Sequence, residues 1–206
     1  MPIYNEVTLA KELIRFPSIT PVDAGVMKFL AKKLTAIGFK CKILEFKDKN
    51  SKPVKNLYAR LGNSQPNFMF AGHLDVVPPG NIKDWTIKPF SPAIKKNHLI
   101  GRGANDMKSA IASWVVAVNS FVLNNKEIKG SISLLITGDE EGIAINGNFI
   151  EPSNKTIAVS IKKLVPVFKT IATIVVTARP IAIGTFIERR KSRTANIVNI
   201  IIKYLL

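Results

Sequence analysis

With 206 residues, 47% hydrophobic content and no apolar run near the roughly 18–20 residues that cross a bilayer, the chain suits one globular domain with a sizeable core and excludes a membrane span. A single cysteine, Cys41, excludes a disulfide framework, points to a reducing, cytoplasmic setting, and reads as a small buried hydrophobe. The net charge of +16 does not mark a nucleic-acid partner, because half of it sits in residues 151–206, where ten Lys and Arg meet two acids, and the rest is thinly spread.

The amino-terminal stretch "MPIYNEVTLAKELIRF" has early acids and no apolar segment of signal-peptide type. Within it Val7, Leu9, Leu13, Ile14 and Phe16 fall near helical spacing, and Pro17 ends the helix. In "VDAGVMKFLAKKLTAIGF" the residues Val26, Phe29, Leu30, Leu34 and Ile37 share one face, and Gly38 stops a second helix. Short strands come next in "CKILEF", "NLYARLG" and "NFMFAGHLD", separated by Lys-, Asn-, Ser- and Pro-rich turns. "HLIGRG" closes a small turn, and "GRG" taken alone can be a tight turn with Arg102 solvated. "DMKSAIASWVVAVNSFVLNN" is a long helix, apolar on most sides and so expected to be buried. "KGSISLLITGDEEG" is a nearly all-apolar strand, as the interior of a covered sheet requires. Strands alternating with helices argue for a layered α/β domain over residues 1–150 with a mostly parallel sheet.

Residues 151–206 are a different text. They are rich in Ile, Val, Lys, Thr and Ala, contain neither Asp nor His, and hold Gly184 as the one turn glycine. The expectation is a divergent basic tail, either lost from its proper sequence by truncation or a shifted reading frame, or amphipathic at a membrane surface.

Three stretches with carboxylates stand at strand or helix ends: "GHLDVV", "GRGANDMK" and "TGDEEG". Ligands of open α/β sheets bind beyond the carboxyl ends of strands, so His73, Asp106 and Glu141 are expected to converge there. Imidazole plus carboxylates is a natural zinc ligand set. Asp75, two residues after His73 on the same side of an extended chain, can accept the ring N–H and fix the tautomer. Adjacent Glu140 and Glu141 can divide the work, one binding metal and the other taking a proton from water. Singly each signal is weak, since a lone histidine at a strand end is more often structural and "DEEG" alone can be a charged loop. Together, in this order, they are specific. His98 in "KKNHLIGRG" reads as exposed, and Trp85 and Phe90 in "DWTIKPF" as packing for the following loop.

The blocks "GHLDVVPPGNIKDWTIKPFSP", "LIGRGANDMKSAIA" and "SLLITGDEEG" resemble the signature blocks of the zinc aminoacylase and carboxypeptidase family of metallohydrolases, with coverage of about residues 5–148. The resemblance implies a helix–sheet–helix catalytic domain, incomplete here, and a metal-dependent hydrolase of linear amide bonds in a small-molecule substrate. It implies two zinc ions per site, with cobalt as an alternative. His73 would hold one metal, Asp106 would bridge both, Glu141 would hold the second, Glu140 would be the general base and Asp75 would orient His73. "RFPSITPVDAG" and "GDEEGIAINGN" favour members acting on N-succinyl-diaminopimelate, with acetylornithine or a short peptide as alternatives. The family is homodimeric through an inserted lid domain that this chain is expected to lack.

The family pattern also includes a Gly-Glu-Pro carboxylate and a carboxy-terminal histidine. No histidine comes after His98, and Glu151 in "IEPSN" comes too soon after Glu141. Each metal would then have two protein ligands where a catalytic zinc takes three. The chain on its own is expected to have a small fraction of the activity of an intact relative, or to be a non-catalytic remnant.

Overall fold

A computed structural model describes residues 2–144 apart from Asp48, Asn50 and Lys126. The expectations for residues 151–206, including Glu151, lie outside the described residues.

Helix α1 (Glu6–Ile14) is capped by Asn5, whose side chain accepts the Thr8 N–H at 3.0 Å, and it buries Leu9, Leu13 and Ile14. Helix α2 (Val26–Ile37) buries Met27, Leu30, Leu34 and Ile37. It stops at Gly38, whose φ of 106° is the left-handed conformation that a residue with a Cβ adopts only with strain. Strands β1 (Lys40–Phe46), β2 (Val54–Leu61) and β3 (Asn67–His73) come next, then the short hairpin β4 (Ala93–Lys95) and β5 (His98–Ile100). An irregular turn, Ala104–Lys108, opens helix α3 (Ser109–Asn124), and strand β6 (Ser131–Thr137) is the last described element.

The main sheet has the order β1-β2-β6-β3. Its β1–β2 and β2–β6 pairings are antiparallel and its β3–β6 pairing is parallel. The sheet is therefore mixed, which corrects the expectation of a mostly parallel one. The connection between β1 and β2 is too short for a crossover, so the strands return antiparallel, while β3 reaches β6 through α3 and pairs parallel.

Leu57 and Ala59 of β2 lie across from Ile136 and Leu134 of β6, and these four residues share one buried cluster with Leu13, Leu30 and Val115 of the three helices. Trp114 of α3 stacks on Phe70 of β3 at 5.5 Å. The described helices thus cover one face of the sheet, and the second helix layer of the expected sandwich is not among the described residues. Every residue of β6 is nonetheless buried. On its polar face Ser131 donates to Asn67 Oδ1 at 2.9 Å, and the Asn67 amide donates to Ser133 at 3.0 Å.

Two burial expectations need correction. Helix α3 buries Ile111, Ala112, Val115 and Val118 along one side, while Ser113, Ser120 and Leu123 face out. Hydropathy on most sides overstated its burial, because among the described residues the helix packs along one side. Cys41 is half-buried, since β1 is an edge strand, and partial burial raises its thiol pKa.

Candidate metal centre

The parallel register sets His73 opposite Thr137, so β3 and β6 end at the same edge of the sheet. The site begins just past these two strand ends. After β3 the chain continues extended through Leu74, Asp75 and Val76, with the Leu74 N–H donating to Thr137 O at 3.1 Å. After β6 it turns through residues 138–142.

That turn is held at three points. Gly138 N–H donates to the side-chain oxygen of buried Asn56 at 3.1 Å. The Thr20 hydroxyl donates to Asp139 Oδ1 at 3.0 Å. Glu141 N–H donates to Asp75 Oδ2 at 2.9 Å. Gly142 closes the turn where any Cβ would collide with Asp139 Oδ1 and Thr20 Oγ1.

Among the described residues, His73, Glu140 and Glu141 offer ligand atoms that all lie within 4.8 Å of one another. His73 Nε2 lies 3.7 Å from Glu140 Oε2 and 3.0 Å from Asp106 Oδ1. Asp106 comes from the turn before α3, and its side chain is exposed while the His73 ring is buried. His73, Glu140 and Glu141 form the close group, while Asp106 and Asp75 stand beside His73 and Asp106 lies outside that three-residue group.

Asp75 sits behind His73, with a difference in detail. His73 Nδ1 is 3.1 Å from the Asp75 backbone carbonyl and 3.6 Å from carboxylate Oδ1. The carbonyl is the closer acceptor for a ring N–H, while the other carboxylate oxygen serves Glu141. Oδ1 itself is buried with no hydrogen-bond partner among the described residues.

Electrostatics reflect this crowding. Burial pulls the His73 pKa down, but the adjoining Asp75 and Glu140 carboxylates outweigh it and raise it to about 9. Burial also raises the Glu141 pKa, with repulsion from Asp106, Glu140 and Asp75 adding and His73 opposing. One imidazole beside crowded carboxylates is a donor set that suits a zinc-type cation, which would relieve that repulsion.

Three other residues stand where the sequence placed them or depart from it. His98 is exposed, its Nδ1 2.7 Å from Lys96 O. Trp85 does pack its own loop, donating to Pro79 O at 2.8 Å. Arg102 is not a solvated turn residue: it is half-buried, stacks over Trp85 at 5.2 Å and donates to Pro78 O at 3.4 Å. An arginine face and an indole face attract each other, and the stack fixes the loop after Val77.

Sequence reading missed Thr20, Asn56 and Lys108. Lys108 is fully buried, donating from Nζ to Phe16 O at 2.8 Å. Burial lowers its pKa to about 7, against the opposing pull of Asp75. A charged residue in an apolar context, "DMKSAIA", was the available signal for Lys108.

Comparison with known proteins gives the arrangement a context. The chain is 91% identical over 147 residues to succinyl-diaminopimelate desuccinylase of Pelagibacter ubique (strain HTCC1062), an alignment covering 71% of this chain and 38% of that protein. It is 52% identical over 143 residues to the enzyme of the same name from Rhodospirillum centenum (strain ATCC 51521 / SW), covering 69% of this chain and 37% of that one. The chain thus spans well under half the length of these curated relatives. Its fold is similar to that of human carnosine dipeptidase 1, with a TM-score of 0.61 at 24% identity over 68% of this chain and 33% of the other. The model of peptidase family M20/M25/M40 matches residues 69–171. That span opens inside β3 and takes in every member of the cluster, and on this match the chain belongs to peptidase family M20/M25/M40.

Proposed function

We propose that the cluster is the metal-holding edge of an amidohydrolase that cleaves N-succinyl-LL-2,6-diaminopimelate to succinate and LL-2,6-diaminopimelate. The observation that carries this reading is the convergence of His73, Glu140 and Glu141 within 4.8 Å, with Asp106 3.0 Å from His73 Nε2. The 91% identity to a desuccinylase over the aligned part supports the choice of substrate.

His73 and Asp106 would hold one zinc ion, and Asp106 and Glu141 a second, with cobalt able to replace zinc. Bound zinc supplies Lewis acidity, polarising the amide carbonyl and making water a better nucleophile near neutral pH. Glu140 takes a proton from the attacking water and delivers it to the departing amine. The water oxygen joins the carbonyl carbon as the C–N bond breaks. Asp75 holds the His73 ring by its carbonyl and braces the Glu141 backbone by its carboxylate. A cytoplasmic setting fits such a biosynthetic reaction.

A second reading has its own support. The described residues offer one histidine to the cluster, and two protein ligands per metal fall short of the three that a catalytic zinc takes. On that reading the chain binds zinc through His73 but turns over little substrate.

The test is to purify the 206-residue chain and a Glu140→Gln variant, add zinc, and measure succinate release and bound zinc. Zinc-dependent release that is lost in the variant supports the hydrolase. Zinc bound without release supports the second reading. A chain that neither binds zinc nor releases succinate would end both.

A further inference from the structure

Residues 16–20, Phe-Pro-Ser-Ile-Thr, leave α1 and cross the carboxyl edge of the sheet, where they touch each segment that bears the cluster. Phe16 O accepts from Lys108 Nζ at 2.8 Å, two residues past Asp106. The Ser18 hydroxyl donates to Leu74 O at 2.6 Å, and Ser18 O accepts the Val76 N–H at 2.9 Å. Ile19 and Val76 form a parallel bridge. Thr20 N–H donates to Val76 O at 3.1 Å, while its hydroxyl donates to Asp139 Oδ1 at 3.0 Å.

Thr20 therefore joins two arms of the site in one residue. Its backbone grips the extension of β3 that carries Asp75, and its side chain grips the turn that carries Glu140 and Glu141. Asp139 is buried, so a hydroxyl bound to its carboxylate sits in a charge-assisted bond stronger than a neutral one. The fit has no slack, since Gly142 packs against both partners too closely to admit a methyl group.

We propose that Thr20 is a positioning residue for the metal centre, setting the separation of the His73 arm from the Glu140–Glu141 arm through the Asp139 carboxylate. This rests on the reading of the cluster as a metal site. Metal affinity depends on the spacing of ligands, and losing an outer partner of a ligand set typically costs about 10–100-fold. Valine keeps the branched shape of threonine and the backbone bond to Val76, so Thr20→Val exchanges the hydroxyl that bonds Asp139 for a methyl that cannot donate. Thr20→Ser restores the hydroxyl and serves as the rescue.

The experiment compares the full chain with its Thr20→Val, Thr20→Ser and His73→Ala variants. Amide hydrogen exchange is measured without metal, and cobalt(II) affinity by its visible absorption. Expected is exchange about tenfold faster over residues 138–142 in Thr20→Val, with β1 and β2 unchanged, and cobalt binding weakened about tenfold. Thr20→Ser should match the parent in both. Unchanged exchange in Thr20→Val, faster exchange throughout the sheet, or failure of the serine rescue would overturn the proposal. So would parental cobalt affinity in Thr20→Val when His73→Ala abolishes binding. If His73→Ala binds cobalt as the parent does, the metal reading has failed, and the exchange of residues 138–142 then decides whether Thr20 positions that turn.

Discussion

Asp75 accepts the backbone N–H of Glu141 at 2.9 Å, so a carboxylate at the end of one strand holds the turn at the end of its parallel neighbour. The same side chain raises the His73 pKa against the effect of burial. Asp75 thus links the geometry of the acids to the charge of the imidazole.

Replacing Asp75 with Asn should keep an acceptor for Glu141 and remove the charge. Glu140 and the residue-75 backbone carbonyl still oppose burial, but with the Asp75 charge gone the His73 pKa should fall from about 9 toward its ordinary value. The chain has two histidines, so proton NMR of the metal-free protein resolves the effect, with exposed His98 as the reference unmoved by the substitution. A His73 titration that stays near 9 would show that Asp75 does not govern the ring.

Two buried groups should give the metal-free protein opposing pH dependences. The folded pKa of His73, about 9, lies above its ordinary 6.5, so the stability it contributes is complete below about pH 6.5 and is lost as pH rises through 9. The folded pKa of Lys108, about 7, lies below its ordinary 10.5. Between those values the unfolded chain holds a proton that the folded chain lacks, so this contribution grows as pH rises from 7 to 10.5. Between pH 7 and 9 the two slopes oppose. Relative to the parent, Lys108→Met should lose stability with rising pH and His73→Gln should gain it, each by about 1 kcal/mol per pH unit. Urea unfolding at about pH 7 and about pH 9 with a chelator present measures both slopes, and slopes of the same sign would refute the assignment.

Asn56 receives the Gly138 N–H inside the protein. Asn56→Ala leaves that donor without its partner and should destabilise the fold by about 1–3 kcal/mol. Leu134→Ala in the fully buried centre of β6 should cost about 2–5 kcal/mol through lost contacts and a residual cavity. Chemical denaturation of both variants checks the order, with the core substitution expected to be the larger.

Much of the fold was legible because it is written in local patterns. Apolar spacing located α1 and α2, Gly38 marked the stop of α2, and the run through "SISLLIT" marked the one strand buried along its whole length among the described residues. Strand direction was not legible, because period-two alternation is the same in parallel and antiparallel pairs. The cluster itself was legible because its members sit in short blocks with unusual composition. Its supports were not. Thr20 lies 119 positions from Asp139, and Asn56 lies 82 from Gly138. A single polar residue so far from its partner carries no local signal. The packing of Arg102 was not legible for a related reason, since its stacking partner Trp85 belongs to a different loop.

The central claim is that His73 and the carboxylates around it hold a metal ion. Zinc K-edge X-ray absorption on the zinc-loaded 206-residue chain tests it most directly. The spectrum should show one imidazole nitrogen per chain, averaged over the bound zinc, and otherwise oxygen ligands at about 2.0–2.2 Å, with the imidazole signal lost in His73→Ala. A zinc environment without imidazole, or one identical in the parent and the variant, would contradict it.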